Sequence, residues 1–285
     1  MPKLELVKDS GIKTVNMTGA NWSELIVESF KKSGFAVITN HGIDMQKVND
    51  LYDQWKVFFD SDKKYDKKTV DGVKGFFPFK SENAKGNPVK DLKEFYHAFY
   101  PFKNLPDGIS EYLTFNVTED LLGIARHILF ILQPHIPKHL VDIQNEPLHK
   151  MARGSNSTLL RILHYPPVIE MEKGAVRAAA HEDINLITLL PSATQPGLEV
   201  LDLEGNWHKV ECDPGSIVIN VGDMLQEASG GLFKSTTHRV VNPSSENISR
   251  YSMPLFVHPK PNSVLSKKYT ADQYLNERLK EIGLK

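Results

Sequence analysis

Apolar positions recur with a helical period in the first half of the chain and shorten to strand-length runs in the second. Leu25, Ile26 and Phe30 share one helical face after the start signal Asn21 and Glu24, and Gly34 marks the stop. Phe35-Ala-Val-Ile-Thr39 then reads as a buried strand. Beyond the turn Asn40-His41-Gly42, Asp44 can cap a helix in which Val48, Leu51, Tyr52, Trp55, Phe58 and Phe59 keep helical spacing. Residues 60–105 lose this order: lysine pairs and glycines surround Gly75-Phe76-Phe77-Pro78 and Glu94-Phe95-Tyr96, the composition of a solvated face, a lid or a pocket wall. Thr118 can cap a long helix carrying Leu121, Leu122, Ala125, Ile128, Leu129 and Leu132, stopped by Pro134.

From Leu159 to Pro259 the text is strand-like, with runs at 159–165, 184–190, 198–201, 208–210, 217–221, 239–241 and 251–257. Turn signals such as Glu204-Gly205-Asn206 and Asp213-Pro214-Gly215 separate them, and this spacing predicts a sandwich or a jelly-roll barrel. Thr270 and Gln273 make a capping box for a last amphipathic helix with Tyr274, Leu275, Leu279 and Ile282 on its apolar side. The expected class is α+β, mainly β. Residues 1–150 are expected to form a mainly helical region packed on a core of residues 151–285, the two making one structural unit.

Composition narrows the function classes. The 34 basic and 35 acidic residues nearly cancel and form no long block of one sign, so no positive field for nucleic acid is expected. The single cysteine, Cys212, cannot form an internal disulfide or a cysteine zinc site, and its flanking acids oppose a thiolate. An inert thiol, a reducing cytoplasm and a monomer are expected. The charged start Met1-Pro-Lys-Leu-Glu-Leu-Val is unlike a signal peptide, and no window of about 18 apolar residues would span a membrane.

The candidate chemistry lies in the strand-rich half. In Ala180-His181-Glu182-Asp183 the side chains at i and i+2 of an extended chain project to one side, so His181 and Asp183 can hold one ion. Chance alone supplies about one His-x-acid triplet in a chain of this composition, so the triplet by itself is a surface histidine beside solvated acids. His238 is a third ligand candidate, and Arg250 and Ser252 beyond it share a strand face with Phe256. A guanidinium fork suits a carboxylate because it donates two parallel hydrogen bonds and stays charged when buried. Two histidines and a carboxylate leave open positions on an Fe(II) ion, although zinc accepts the same ligands. Nucleophile-elbow, phosphate-loop and His-Glu-x-x-His templates are absent. His41 reads as a turn residue, and His97, His164 and His258 as pocket groups or satisfied polar positions.

In order along the chain, Ser33-Gly-Phe-Ala-Val-Ile-Thr-Asn-His-Gly-Ile43, Gly75-Phe76, Leu163-His-Tyr-Pro-Pro167, His181-Glu-Asp183, Pro214-Gly-Ser216, Val221-Gly-Asp223, Lys234-Ser-Thr-Thr-His-Arg239 and Arg250-x-Ser252 resemble the isopenicillin N synthase-like Fe(II)/2-oxoglutarate-dependent oxygenases. The resemblance implies a distorted double-stranded β-helix buttressed by N-terminal helices. It implies Fe(II) on His181, Asp183 and His238, with 2-oxoglutarate held by Arg250, Ser252 and Tyr165. It further implies conversion of 2-oxoglutarate and O2 to succinate and CO2 with oxidation of a small molecule, most often hydroxylation. Leu163 stands where plant members often carry asparagine, which removes one polar contact, and Phe256 resembles an aromatic facing substrate or is plain core. Alternatives are a 2-oxoglutarate-independent oxidase or cyclase of isopenicillin N synthase type, and a zinc-bound or non-catalytic binding module on the same fold. Lys74, Lys90 and Lys93 suit an amino-acid-like carboxylate or are simply solvated.

Overall fold

The two periodicities sort the chain into a layer of helices and two facing sheets. The computed structural model describes residues 10–83, 89–103, 105–167, 174–211, 213–242 and 247–281, so Cys212 and Ile282 lie outside the described residues. The N-terminal part runs β1 (Lys13–Asn16), α1 (Trp22–Ser33), β2 (Phe35–Thr39), α2 (Met45–Asp60), β3 (Gly75–Phe77), β4 (Glu94–Phe99), α3 (Glu111–Leu132), α4 (Lys138–Val141) and α5 (Leu148–Met151). The rest runs β5 (Leu159–Tyr165), β6 (Ala178–His181), β7 (Ile187–Pro191), β8 (Leu198–Leu201), β9 (Trp207–Lys209), β10 (Ile217–Val221), α6 (Asp223–Ala228), β11 (His238–Val240), β12 (Arg250–Ser252), β13 (Leu255–Val257) and α7 (Ala271–Glu281).

Local chemistry sets the helix ends. The Asp44 carboxylate accepts from Gln46 N at 3.0 Å and opens α2. Thr270 N donates to Gln273 Oε1 at 2.9 Å, and Gln273 N returns to Thr270 Oγ1 at 3.4 Å, the reciprocal box that starts α7. Gly34 ends α1 at φ 70, and a Cβ there would lie 2.3 Å from Lys234 O, so the turn needs a residue without one. The start of α3 differs from the expectation. Ser110, not Thr118, caps it by accepting from Leu113 N at 3.2 Å, while Thr118 is buried inside the helix.

The larger sheet has nine strands in the order β1-β2-β10-β7-β13-β5-β4-β3, with β12 also pairing with β5; the smaller has the order β6-β11-β8-β9. Strands β1 to β4 therefore come from the region expected to be mainly helical and complete the larger sheet. The run 251–257 divides into β12 and β13 at Met253-Pro254, because proline has no N–H to give a ladder. The run 184–190 contributes β7 only from Ile187, and β6 arises from Ala178-Ala179-Ala180-His181, which lacks β-branched residues.

Helices α1, α2 and α3 pack one face of the larger sheet. Ile26, Phe30, Leu51, Trp55, Leu121 and Ile128 meet Ile38, Ile162, Leu189 and Ile219 in the main core, all of them with no exposed surface. Each such side chain contributes about 1.5–3 kcal/mol by leaving water. The other face looks at the smaller sheet through two clusters. Phe35, Val37 and Val218 meet Leu198, Val200 and Val210, while Phe95, Leu163 and Tyr165 meet Ala178 and Val240. Among the described residues no strand pairing joins the edges of the two sheets.

Candidate metal centre

His181 ends β6 and His238 begins β11, and the two sit opposite each other in the antiparallel pair just where its register shifts. A bulge re-aims side chains, and here the imidazoles come to 4.5 Å between centroids. His181 Nδ1 lies 2.7 Å from Ala179 O and His238 Nδ1 lies 3.1 Å from Thr236 O. A carbonyl only accepts, so each Nδ1 carries the proton and each Nε2 keeps its lone pair for a metal. Burial and the neighbouring His238 push His181 down to about 4, which keeps that lone pair available at neutral pH.

Asp183 follows in the loop after β6, and its Oδ1 is 3.7 Å from His238 Nε2 and 4.0 Å from His181 Nε2. Its other oxygen is already engaged. Thr188 Oγ1 donates to Oδ2 at 2.6 Å and Asn220 Nδ2 at 2.8 Å, while Asn185 Nδ2 donates to Thr188 Oγ1 at 2.8 Å. This chain of donors fixes the carboxylate plane and turns Oδ1 toward the histidines. Burial opposes the charge on Asp183, yet the two imidazoles and these donors hold its carboxyl below the usual range. Gly222 lets the chain close over the loop, since a Cβ there would meet Asn185 Oδ1 at 2.1 Å. Among the described residues, His181, Asp183 and His238 are the one group of three such side chains that could hold an ion. Thr188→Val keeps the shape but removes a donor to Oδ2, and iron affinity measured by anaerobic titration is expected to fall roughly 10- to 100-fold.

Arg250 and Ser252 lie on the same face of β12, paired with Tyr165 and Leu163 of β5. Arg250 is 2% exposed; its Nε donates to Gln195 O at 2.9 Å, its guanidinium lies 5.1 Å from the Tyr165 ring, and its buried Nη1 has no partner. A buried, uncompensated guanidinium N–H is costly, and a carboxylate relieves it. The donor set and this orphaned group fit Fe(II) and a dicarboxylate.

Sequence reasoning did not single out Arg161, whose place depends on strand pairing. It sits opposite His97 on β4, where Arg161 Nε donates to His97 Nε2 at 2.8 Å. Burial and that guanidinium push His97 down to about 3, so it stays neutral and its Nδ1–H reaches Val73 O at 2.8 Å. The guanidinium lies 4.8 Å from the Phe95 ring and 5.5 Å from that of Phe256. Lys93, expected either to suit a substrate carboxylate or to be solvated, is instead buried and paired with Glu82 and Asp91, each at 2.8 Å. Asp91 also accepts from Ala179 N at 3.0 Å, which ties this ion cluster to β6. The even spacing of Arg161 and Tyr165, which puts them on one face of β5, was the available signal.

The known proteins agree with this geometry. Residues 12–113 match the family model described as non-haem dioxygenase in morphine synthesis N-terminal, and residues 156–259 match the 2OG-Fe(II) oxygenase superfamily. A bi-functional coumaroyl CoA and feruloyl CoA ortho-hydroxylase of Ipomoea batatas is 30% identical, the match covering 93% of this chain and 75% of that one. A crystal structure ascribed to an oxygenase from Shewanella oneidensis shares 44% identity over 96% of this chain and 99% of its own, with a TM-score of 0.84. A full-length Neurospora crassa protein in complex with alpha-KG shares the fold at TM-score 0.75 and 20% identity, over 94% and 95% of the two chains. With Fe(II) and 2-oxoglutarate as the family's cofactors, the zinc, non-catalytic and 2-oxoglutarate-independent alternatives lose their support. The chain belongs to the 2OG-Fe(II) oxygenase superfamily and carries its facial triad as His181, Asp183 and His238.

Proposed function

We propose that this oxygenase hydroxylates a small organic anion, with Arg250, Ser252 and Tyr165 binding 2-oxoglutarate and Arg161 and Phe256 facing the substrate. The buried Arg250 Nη1 without a partner is the observation that carries the co-substrate reading. Arg161 supports the substrate class: Nε is taken by His97 and Nη1 reaches Glu82 at 3.4 Å, while Nη2 donates to no described group. Held against Phe95 and Phe256, it offers one edge to a carboxylate beside an apolar body.

When bound, Fe(II) with 2-oxoglutarate supplies the oxidising chemistry, in which O2 gives one oxygen atom to succinate and one to the substrate. The protein's residues do the positioning. His181, Asp183 and His238 would hold one side of the ion and leave the rest for ligands. Arg250 and Ser252 would fix the far carboxylate, and the phenylalanines exclude water where the substrate sits. No described helix is long and apolar enough to cross a membrane; the proposed setting is a cytoplasmic monomer acting on a diffusible substrate.

A screen of small carboxylates for succinate release matched by hydroxylated product tests the proposal. Arg161→Met keeps the apolar stem and is expected to raise KM for the substrate roughly 10- to 100-fold. Equal KM values in the two proteins would remove Arg161 from recognition, and O2 uptake without succinate would overturn the hydroxylase reading.

A further inference from the structure

We propose that Glu94, His164 and Ser249 form a relay on the outer face of β5 that keeps β12 in register, making His164 a positioning residue for Arg250 and Ser252. This rests on the reading of those two residues as the carboxylate clamp.

Strand β12 has three residues and pairs within its sheet with β5 alone. Its register sets Arg250 opposite Tyr165, Tyr251 opposite His164 and Ser252 opposite Leu163. A slip of one residue would turn Arg250 and Ser252 outward and bring Tyr251 in, since side chains alternate faces. So short a ladder needs support from outside it. Part comes from the loop after β7, where Tyr251 N donates to Thr194 Oγ1 at 2.9 Å and Thr194 N donates to Tyr251 O at 3.0 Å. The remainder runs through His164. Its Nε2 lies 3.0 Å from Ser249 Oγ, at the residue before β12, and its Nδ1 lies 2.8 Å from Glu94 Oε1 on β4. Its ring stacks on Tyr251 at 4.5 Å and 3°. Lys64 Nζ anchors the far end, donating to Glu94 Oε1 at 3.0 Å and to Phe59 O at 2.7 Å.

The connectivity serine, histidine, carboxylate is also that of a nucleophilic triad. Here Lys64 neutralises the carboxylate that would support an imidazolium, and Tyr251 and Phe59 pack on the imidazole. The group is built to hold a strand rather than to move a proton to substrate.

The full-length protein loaded anaerobically with Fe(II) is titrated with 2-oxoglutarate, and separately with 2-oxobutanoate, following the visible charge-transfer band of the chelated 2-oxo acid. 2-Oxobutanoate lacks the distal carboxylate and so does not feel the clamp. Ser249→Ala is expected to raise half-saturating 2-oxoglutarate roughly 3- to 10-fold, leaving 2-oxobutanoate and Fe(II) titrations unchanged, and Ser249→Thr restores the wild-type value. His164→Phe keeps the stack and loses both hydrogen bonds; adding Ser249→Ala to it should cost nothing more. Equal weakening of both 2-oxo acids, or no change in Ser249→Ala, would overturn the relay. Arg250→Ala in the same titrations separates the two ideas: if it keeps wild-type preference for 2-oxoglutarate over 2-oxobutanoate, the clamp itself is wrong. Should His164→Phe fail to fold, the Ser249 pair of variants decides alone.

Discussion

Asp183→Ala is expected to abolish iron-dependent decarboxylation of 2-oxoglutarate and to reduce Fe(II) binding to background in an anaerobic titration. The side chain supplies the one anionic ligand of the set, and nothing else described near His181 and His238 replaces it. The variant also strands the hydrogens that Thr188 and Asn220 direct at Oδ2, each orphan costing about 1–3 kcal/mol in a buried site. Against this stands relief from burying a carboxylate that is 5% exposed, so the metal-free variant is expected to melt only modestly below wild type. The carboxyl is held below its ordinary value in the folded chain, so its stabilising contribution is present above the ordinary carboxylate range and is lost as pH falls through the lowered one. Wild-type turnover in Asp183→Ala would remove the residue from the ligand set.

Arg250→Ala is expected to raise the 2-oxoglutarate concentration for half-maximal turnover about a hundredfold or more and to leave iron binding unchanged. Two charge-assisted hydrogen bonds to one carboxylate, each contributing about 1.5–3 kcal/mol, set that scale. Arg250→Lys should recover little, because an ammonium cannot present the planar fork. Equal sensitivity of the iron and 2-oxoglutarate requirements would count against the assignment.

How much of this could be read in the sequence depended on whether one segment carried the information. The Phe35–Thr39 strand, the Asp44 and Thr270 caps and the Gly34 stop are local chemistry, and each stands where the sequence places it. Thr118 misled because a threonine before an apolar stripe resembles a cap, while the helix had already begun at Ser110. Strands β1, β3 and β4 were missed because they are short or lie among glycines and lysines, and neighbouring strands rather than their own propensity hold them. The site divides in the same way. His181, Asp183, His238, Arg250 and Ser252 sit in short motifs whose order is visible. Asn220, His97 and Arg161 acquire their partners across strands far apart in sequence, so spacing does not name those partners; Thr188 is near Asp183 in sequence, and their contact depends on the turn between β6 and β7. The burial of Lys93 was hidden differently: Asp91 is its near neighbour in sequence, but only the fold brings Glu82 to the same ammonium and buries Lys93 with Asp91.

The ligand histidines stand on the smaller sheet, while the aspartate is braced by β7 and β10 of the larger one. Coordination geometry is therefore measured out by the aliphatic filling between the layers, where Val37 and Val218 face Leu198 and Val200, and where Phe35 meets the His238 ring edge-on at 5.5 Å. These side chains supply none of the ligands, yet they act as the ruler that spaces them. A methylene gained or lost there is a change in inorganic chemistry made with hydrocarbon.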